Sequence, residues 1–207
     1  MKVLVALETC ALPQYAERRR LVAETWGNRL PPPFEFDIFD GPRLGVIDDR
    51  VHLPDKTRAI CLYALAHNYD WLMIVDDDVL IWPERLKVPT QGDYWGVVLN
   101  SGDPNREAPR PFCTGSFYWL SRKAIALIAA APLDPQQLAE DQWVAAVLRS
   151  HDILPQPIST FYTYPCPCPR CRIVPGKAAI PSDWSAIAFT IRWLPDKFRG
   201  YFNYVSI

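Results

Sequence analysis

A chain of 207 residues, 49% hydrophobic and 22% charged, has the balance of a globular protein with a real core, which excludes disordered and fibrous classes. Its formal net charge of -1 gives no overall pull toward nucleic acid or an anionic membrane, so partners must be read from local sites. No run approaches the roughly 20 apolar residues of a spanning helix, and the short apolar stretch of MKVLVALETC lacks the cleavage site of a secretory leader.

These features predict a soluble, cytoplasmic protein with no membrane span. In chain order, KVLVALET reads as a first strand, and PQYAERRRLVAETWG as a helix with Gly27 placed to end it. The prolines of RLPPPFEFDIFDGP mark a loop, followed by the strand FEFDIFD and a turn at Gly41-Pro42. VIDDRVHLP is a weaker strand. DKTRAICLYALAHNY reads as a helix feeding DWLMIVDDD, the strongest strand in the sequence. DYWGVVLN and FCTGSFYWLS are further strands, separated by the polar loop SGDPNREAPRP, whose length suits a lid. RKAIALIAAA and PQQLAEDQWVAAVLRSHD are helices.

This alternation predicts an α/β fold, a mixed and mostly parallel sheet flanked by helices, over residues 1–155. Residues 156–207, rich in proline, cysteine and aromatics, read as an extension wrapping the same domain. Cys10, Cys61 and Cys113 sit in apolar surroundings and read as reduced core residues. Cys166, Cys168 and Cys171 crowd together in YPCPCPRC, which suits either a structural Zn²⁺ knuckle or a proline-stiffened loop.

The chemistry concentrates in two acidic motifs. Asp76, Asp77 and Asp78 stand at the carboxyl end of the strongest strand, where open α/β sheets bind ligands. Adjacent like charges repel, so either the run is a solvated loop or a cation belongs there. Oxygen ligands alone suit Mn²⁺ or Mg²⁺, and strand alternation puts Asp76 and Asp78 on one side and Asp77 on the other. Glu140 and Asp141 open a helix. There the dipole favours carboxylates for purely structural reasons, but a carboxylate so placed also suits a general base.

The ordered set RRRLVAETWG, FDIFDG, DKTRAICLYAL, DWLMIVDDDV, GSFYWLSRKAI and EDQWVAAVL resembles the Fringe and β-1,3-galactosyltransferase family of glycosyltransferases, over about residues 3–150. The resemblance implies a GT-A (Rossmann-like) fold and an inverting hexosyltransferase that uses a UDP-sugar and Mn²⁺ at a DXD motif. Position by position, Asp78 resembles the direct metal ligand, with Asp76 at the metal shell or ribose and Asp77 supporting them. Asp141 resembles the general base, with Glu140 beside it. Gly115 and Ser116 resemble the strand lining the donor and acceptor cleft, Asp40 the aspartate of a turn near the nucleotide, and Lys56 the lysine of a helix start. Arg18 or Arg19 resembles an arginine near the uracil or phosphates. Trp95, Tyr118 and Trp119 offer aromatic faces for sugars.

The chain departs from that family in having no late histidine. Metal binding then rests on Asp78 and the diphosphate, or on a tail residue such as Asp183. The expected partners are a nucleotide sugar and a glycan acceptor. Beside a metal-dependent phosphotransferase or nuclease built on the same aspartates, two rival readings stand, one within the transferase class and one outside it. One is a viral transferase acting on a hydroxylated DNA base, suggested by Arg192, Lys197 and Arg199 among tail aromatics. The other is a non-catalytic sugar or nucleotide binding module.

Overall fold

The computed structural model describes residues 1–101, 110–133, 139–158, 161–163 and 188–190. In chain order its elements are β1 (Val3–Glu8), α1 (Ala16–Thr25), β2 (Phe34–Phe39), α2 (Gly41–Leu44), α3 (Leu53–Ala66), β3 (Trp71–Asp76) and β4 (Val79–Ile81). There follow β5 (Tyr94–Ser101), β6 (Arg110–Ser121), α4 (Arg122–Ala130), α5 (Glu140–Arg149), β7 (Gln156–Pro157), β8 (Phe161–Thr163) and β9 (Ala188–Thr190).

Every residue of β1 is buried, as an unbroken aliphatic run covered on both faces requires. It pairs in parallel with β2 on one side and β3 on the other. Beyond β3 lie β6, β5 and β7, giving a six-stranded mixed sheet of order β2-β1-β3-β6-β5-β7. The pairings β1–β2, β1–β3 and β5–β7 are parallel, whereas β3–β6 and β5–β6 are antiparallel. β4 leaves this sheet and pairs with β9 in a second one, of order β4-β9-β8.

Strand alternation sorts the core into two layers. Leu4, Ala6, Leu72, Ile74, Tyr118 and Leu120 face α3, α4 and α5, against Ile60, Ile125, Val144 and Leu148. Val5, Leu7, Met73, Val75, Phe117 and Trp119 face the other way, toward Leu21, Val22 and Trp26 of the α1 side. Trp26 also donates through its indole Nε1 to the Val79 carbonyl at 3.0 Å, which ties α1 to β4. No helix among the described residues is long and apolar enough to cross a membrane.

The local differences from the sequence reading have physical causes. α1 ends at Thr25, and Gly27 is not its left-handed cap. A Cβ there would meet the Phe36 ring at 2.6 Å, so Gly27 serves close packing against β2. Gly41-Pro42 begins the short helix α2, with Asp40 as its cap, instead of forming a turn. The segment read as the strand VIDDRVHLP is irregular up to Leu53, because its carboxylates bind backbone and side-chain donors instead of a strand partner. The strand before the aspartates ends at Asp76. α5 begins at Glu140, with Ala139 extended before it.

Candidate active site

The strand order locates the site. From β1 the chain passes through α1 to β2 on one side, then returns through α3 to β3 on the other. The order therefore reverses between β1 and β3, and the carboxyl ends of such a pair diverge around a crevice. A cleft of about 470 Å³ opens there, lined by residues 8–10 after β1, residues 76–78 after β3, Leu12, Tyr15, Arg18, residues 48–50, Leu53 and Lys56.

The three aspartates have unequal surroundings. Asp76 is the last residue of β3, and Asp77 and Asp78 form the turn into β4, where the chain moves from one sheet to the other. Asp77 is buried. Its Oδ2 accepts from Thr9 Oγ1 at 2.5 Å, and its Oδ1 accepts from Arg18 Nη1 at 3.0 Å. Asp77 is thus held by the protein, and Asp76 and Asp78 line the same cleft. Burial pushes the Asp76 carboxyl well above the usual carboxylate range, and the charges of Asp78, Glu8, Asp77 and Glu140 push the same way.

Three further carboxylates, Glu8, Asp48 and Asp49, line the cleft and are not singled out by the sequence reading. Glu8 ends β1 beside Asp76, its register partner on β3, and burial together with the Glu140 charge raises its pKa well above the ordinary value. The overlooked signal is alternation, since Leu4, Ala6 and Glu8 share one strand face. Asp48, in the irregular segment before α3, accepts from the Ala11 backbone N–H and, at 2.6 Å, from Lys56 Nζ. Lys56 is buried and also donates to the Thr9 carbonyl at 2.7 Å. This ion pair clamps residues 9–11 to α3. The bonds hold the Asp48 carboxyl below its usual range against the opposing effect of burial.

The first turn of α5 approaches β6 where β6 runs past the end of β3, Val75 pairing with Phe117. Gly115 N–H donates to Asp141 Oδ2 at 3.3 Å, and a Cβ on Gly115 would stand 3.2 Å from Glu140 Oε2 and 3.8 Å from Asp141 Cβ. The missing side chain is what lets strand and helix meet. Glu140 turns inward. Its Oε1 accepts from Thr57 Oγ1 at 3.0 Å and from the Tyr118 hydroxyl at 2.5 Å, and burial pushes its carboxyl up to about 7. Asp141 is also raised, chiefly by burial. The N–H groups of Gln142 and Gly115 and the charge of Arg50, a cleft residue, act in the opposite direction.

Of the residues predicted from sequence, Asp76, Asp77, Asp78, Arg18 and Lys56 therefore share the cleft. Asp40 is spent on capping α2, its Oδ1 accepting from Arg43 N at 3.0 Å, and Arg19 binds the Cys10 carbonyl. Ser116 bonds Thr114 through their hydroxyls at 2.6 Å. Tyr118 and Trp119 are buried in the two core layers and offer no face to a sugar, and Trp95 donates to the Gln91 carbonyl at 2.6 Å. Cys10, Cys61 and Cys113 are free thiols. Cys166, Cys168, Cys171, Asp183 and the basic residues Arg192, Lys197 and Arg199 lie outside the described residues. Among the described residues, no three His, Cys, Asp or Glu side chains are arranged to hold a metal ion by themselves.

No family model and no curated protein matches the chain. Among solved structures, a glycosyltransferase involved in glycosylation of the major capsid of PBCV-1 is similar, at a TM-score of 0.54 and 9% identity, over 98% of this chain and 100% of that one. The chain has a glycosyltransferase fold of the GT-A kind. Looser likenesses are to A197 from STIV, with a TM-score of 0.43 at 13% identity over 77% of this chain and 82% of that one, and to the catalytic domain of Drosophila beta1,4galactosyltransferase 7. The latter has a TM-score of 0.48 at 15% identity, over 76% of this chain and 65% of that one. The glycosyltransferase fold accords with a cleft at the ends of β1 and β3.

Proposed function

We propose that the protein is an inverting, metal-dependent glycosyltransferase that moves a sugar from a UDP donor to a hydroxyl of a glycan acceptor. The observation that carries this reading is the division of labour at the cleft. Thr9 and Arg18 hold Asp77, and all three aspartates line the cleft at the sheet's switch point, with Asp76 and Asp78 proposed as the cation's carboxylates.

The residues fit a hard divalent cation. Asp76 is half-buried among like charges that a cation would neutralise, and the donor atoms are all carboxylate oxygens, the chemistry of Mn²⁺ or Mg²⁺. Two carboxylates do not complete a coordination shell, so the donor diphosphate supplies further oxygens. The cation, when bound, stabilises charge on the departing diphosphate.

The chain's own residues do the rest. Leu12 and Tyr15 give the cleft an apolar wall suited to a nucleobase, and Arg18 lies over the Tyr15 ring, 5.0 Å from its centroid. Asp141, positioned by the Gly115 N–H, takes the proton of the acceptor hydroxyl as that oxygen attacks the anomeric carbon in a single displacement. Glu140 is a positioning residue, fixed from behind by Thr57 and Tyr118.

A panel of nucleotide sugars, read by mass spectrometry for nucleotide release, tests the reading with Asp78→Ala and Asp141→Asn beside the wild type. Both variants are expected to lose transfer, and Asp78→Ala alone to lose metal-dependent nucleotide binding. Full activity in Asp141→Asn would remove the base assignment.

A further inference from the structure

Leu4, Ala6 and Glu8 follow one another along one face of β1, and Leu72, Ile74 and Asp76 along the same face of β3. Glu8 and Asp76 are therefore neighbours at the ends of two otherwise apolar rows. Glu8 is only 6% exposed, and its Oε1 is buried without a hydrogen-bond partner among the described residues. Leaving a buried polar atom unbonded is costly, and folded proteins rarely do so without a functional reason.

Several of the buried polar groups around it are bonded within the protein. Lys56 bonds Thr9 and Asp48, Thr57 bonds Glu140, and Asp77 bonds Thr9 and Arg18. Glu8 Oε1 has no such bond, and Glu8 lines the cleft, so its partner comes from there. The chemistry of that partner is constrained. Asp76, Glu140 and Asp48 act on Glu8 as like charges, and the one opposing charge, Lys56, is already paired with Asp48, so an anion is disfavoured. Among the described residues no three carboxylates are arranged to hold a metal ion, so Glu8 does not join Asp76 and Asp78 as a third protein ligand. A neutral donor remains, and a hydroxyl is the simplest.

Position narrows it further. Glu8 interacts with Asp76 on the diphosphate side and with Glu140, the neighbour of Asp141, on the acceptor side. The part of a nucleotide sugar lying between diphosphate and acceptor is the sugar being moved. We propose that Glu8 accepts a hydrogen bond from a hydroxyl of the transferred sugar and so selects which sugar is used. This inference rests on the glycosyltransferase reading above.

Titration calorimetry in the presence of Mn²⁺, with UDP, UDP-glucose, UDP-galactose and their monodeoxy analogues, tests it on the wild type, Glu8→Gln and Glu8→Ala. In the wild type, one deoxy position is expected to weaken binding of the preferred sugar nucleotide by about ten- to a hundredfold, the range for a hydrogen bond to a charged or strongly polar group. Glu8→Ala is expected to abolish that discrimination while holding UDP within about threefold of the wild type, a span that corresponds to less than one hydrogen bond. If Glu8→Ala weakens UDP as much as the sugar nucleotide, Glu8 serves the nucleotide or cation and the proposal fails. It fails equally if discrimination persists in a folded Glu8→Ala or Glu8→Gln protein. Should neither variant fold, the wild-type deoxy series decides, since no sensitive hydroxyl there overturns the proposal. A wild type that binds neither UDP nor any UDP-sugar would instead overturn the glycosyltransferase reading, and this inference with it.

Discussion

Arg18 meets Asp77 at 3.0 Å across the cleft wall, so the middle aspartate of the run is tied into an ion pair with α1. Asp77 is 7% exposed on its side chain and Arg18 23%, so the pair is shielded enough to matter. Arg18→Ala is expected to lower stability by on the order of 2 kcal/mol, the cost of leaving a buried charge short of a partner. Urea unfolding measures it. Asp77→Asn should weaken metal-dependent nucleotide binding far less than Asp78→Ala, and equal losses would place Asp77 in the metal site.

Lys56 is the most deeply buried cation at the cleft, and its removal strands Asp48 beneath residues 9–11. Lys56→Ala should cost about 3 kcal/mol, as expected for breaking a buried ion pair from one side. The double variant Lys56→Met with Asp48→Leu should recover part of that loss, because no charge is then left unpaired. Chemical denaturation of the two variants checks the difference.

Glu140 sets a pH dependence of stability whose sign is fixed by its burial. Its folded pKa of about 7 lies above the ordinary 4.5, so the native state holds the proton more tightly than the unfolded chain. The stabilisation from protonation is complete below the unfolded pKa and is lost as pH rises through about 7. The wild type should therefore lose up to about 3 kcal/mol between pH 4.5 and 8 on this account. Glu140→Gln should flatten that part of the profile, which thermal melts across pH would reveal.

A divalent cation should change the same profile in the opposite direction. Asp76 retains its proton to higher pH than an ordinary carboxylate, and the metal must displace that proton to bind. Stabilisation by Mn²⁺ with UDP should therefore be larger at pH 8 than at pH 5.5. A cation effect independent of pH would argue against Asp76 as a ligand.

The elements themselves were readable because each carries its own period. The aliphatic run of β1, the amphipathic α5 and the alternation of β6 all announce themselves within a few residues. So did the acidic run, because three adjacent like charges after a buried strand call for either solvent or a cation. Reading by local pattern failed where a residue's purpose lay in a distant partner. Gly27 looks like a helix stop until Phe36 is seen against it, and Asp48 looks like part of a strand until Lys56 and Ala11 meet it.

The sequence by itself determined an α/β sheet with carboxylates at a strand end, since strand period, helix period and charge spacing are properties of neighbouring residues. Only the tertiary structure decided what each carboxylate does. Asp77 went to Arg18 and Thr9, Asp40 to a helix cap and Glu140 to Tyr118, while Glu8 came forward beside Asp76. A carboxylate's role depends on its nearest donor and its share of water, and chain folding brings both from residues far away in the sequence.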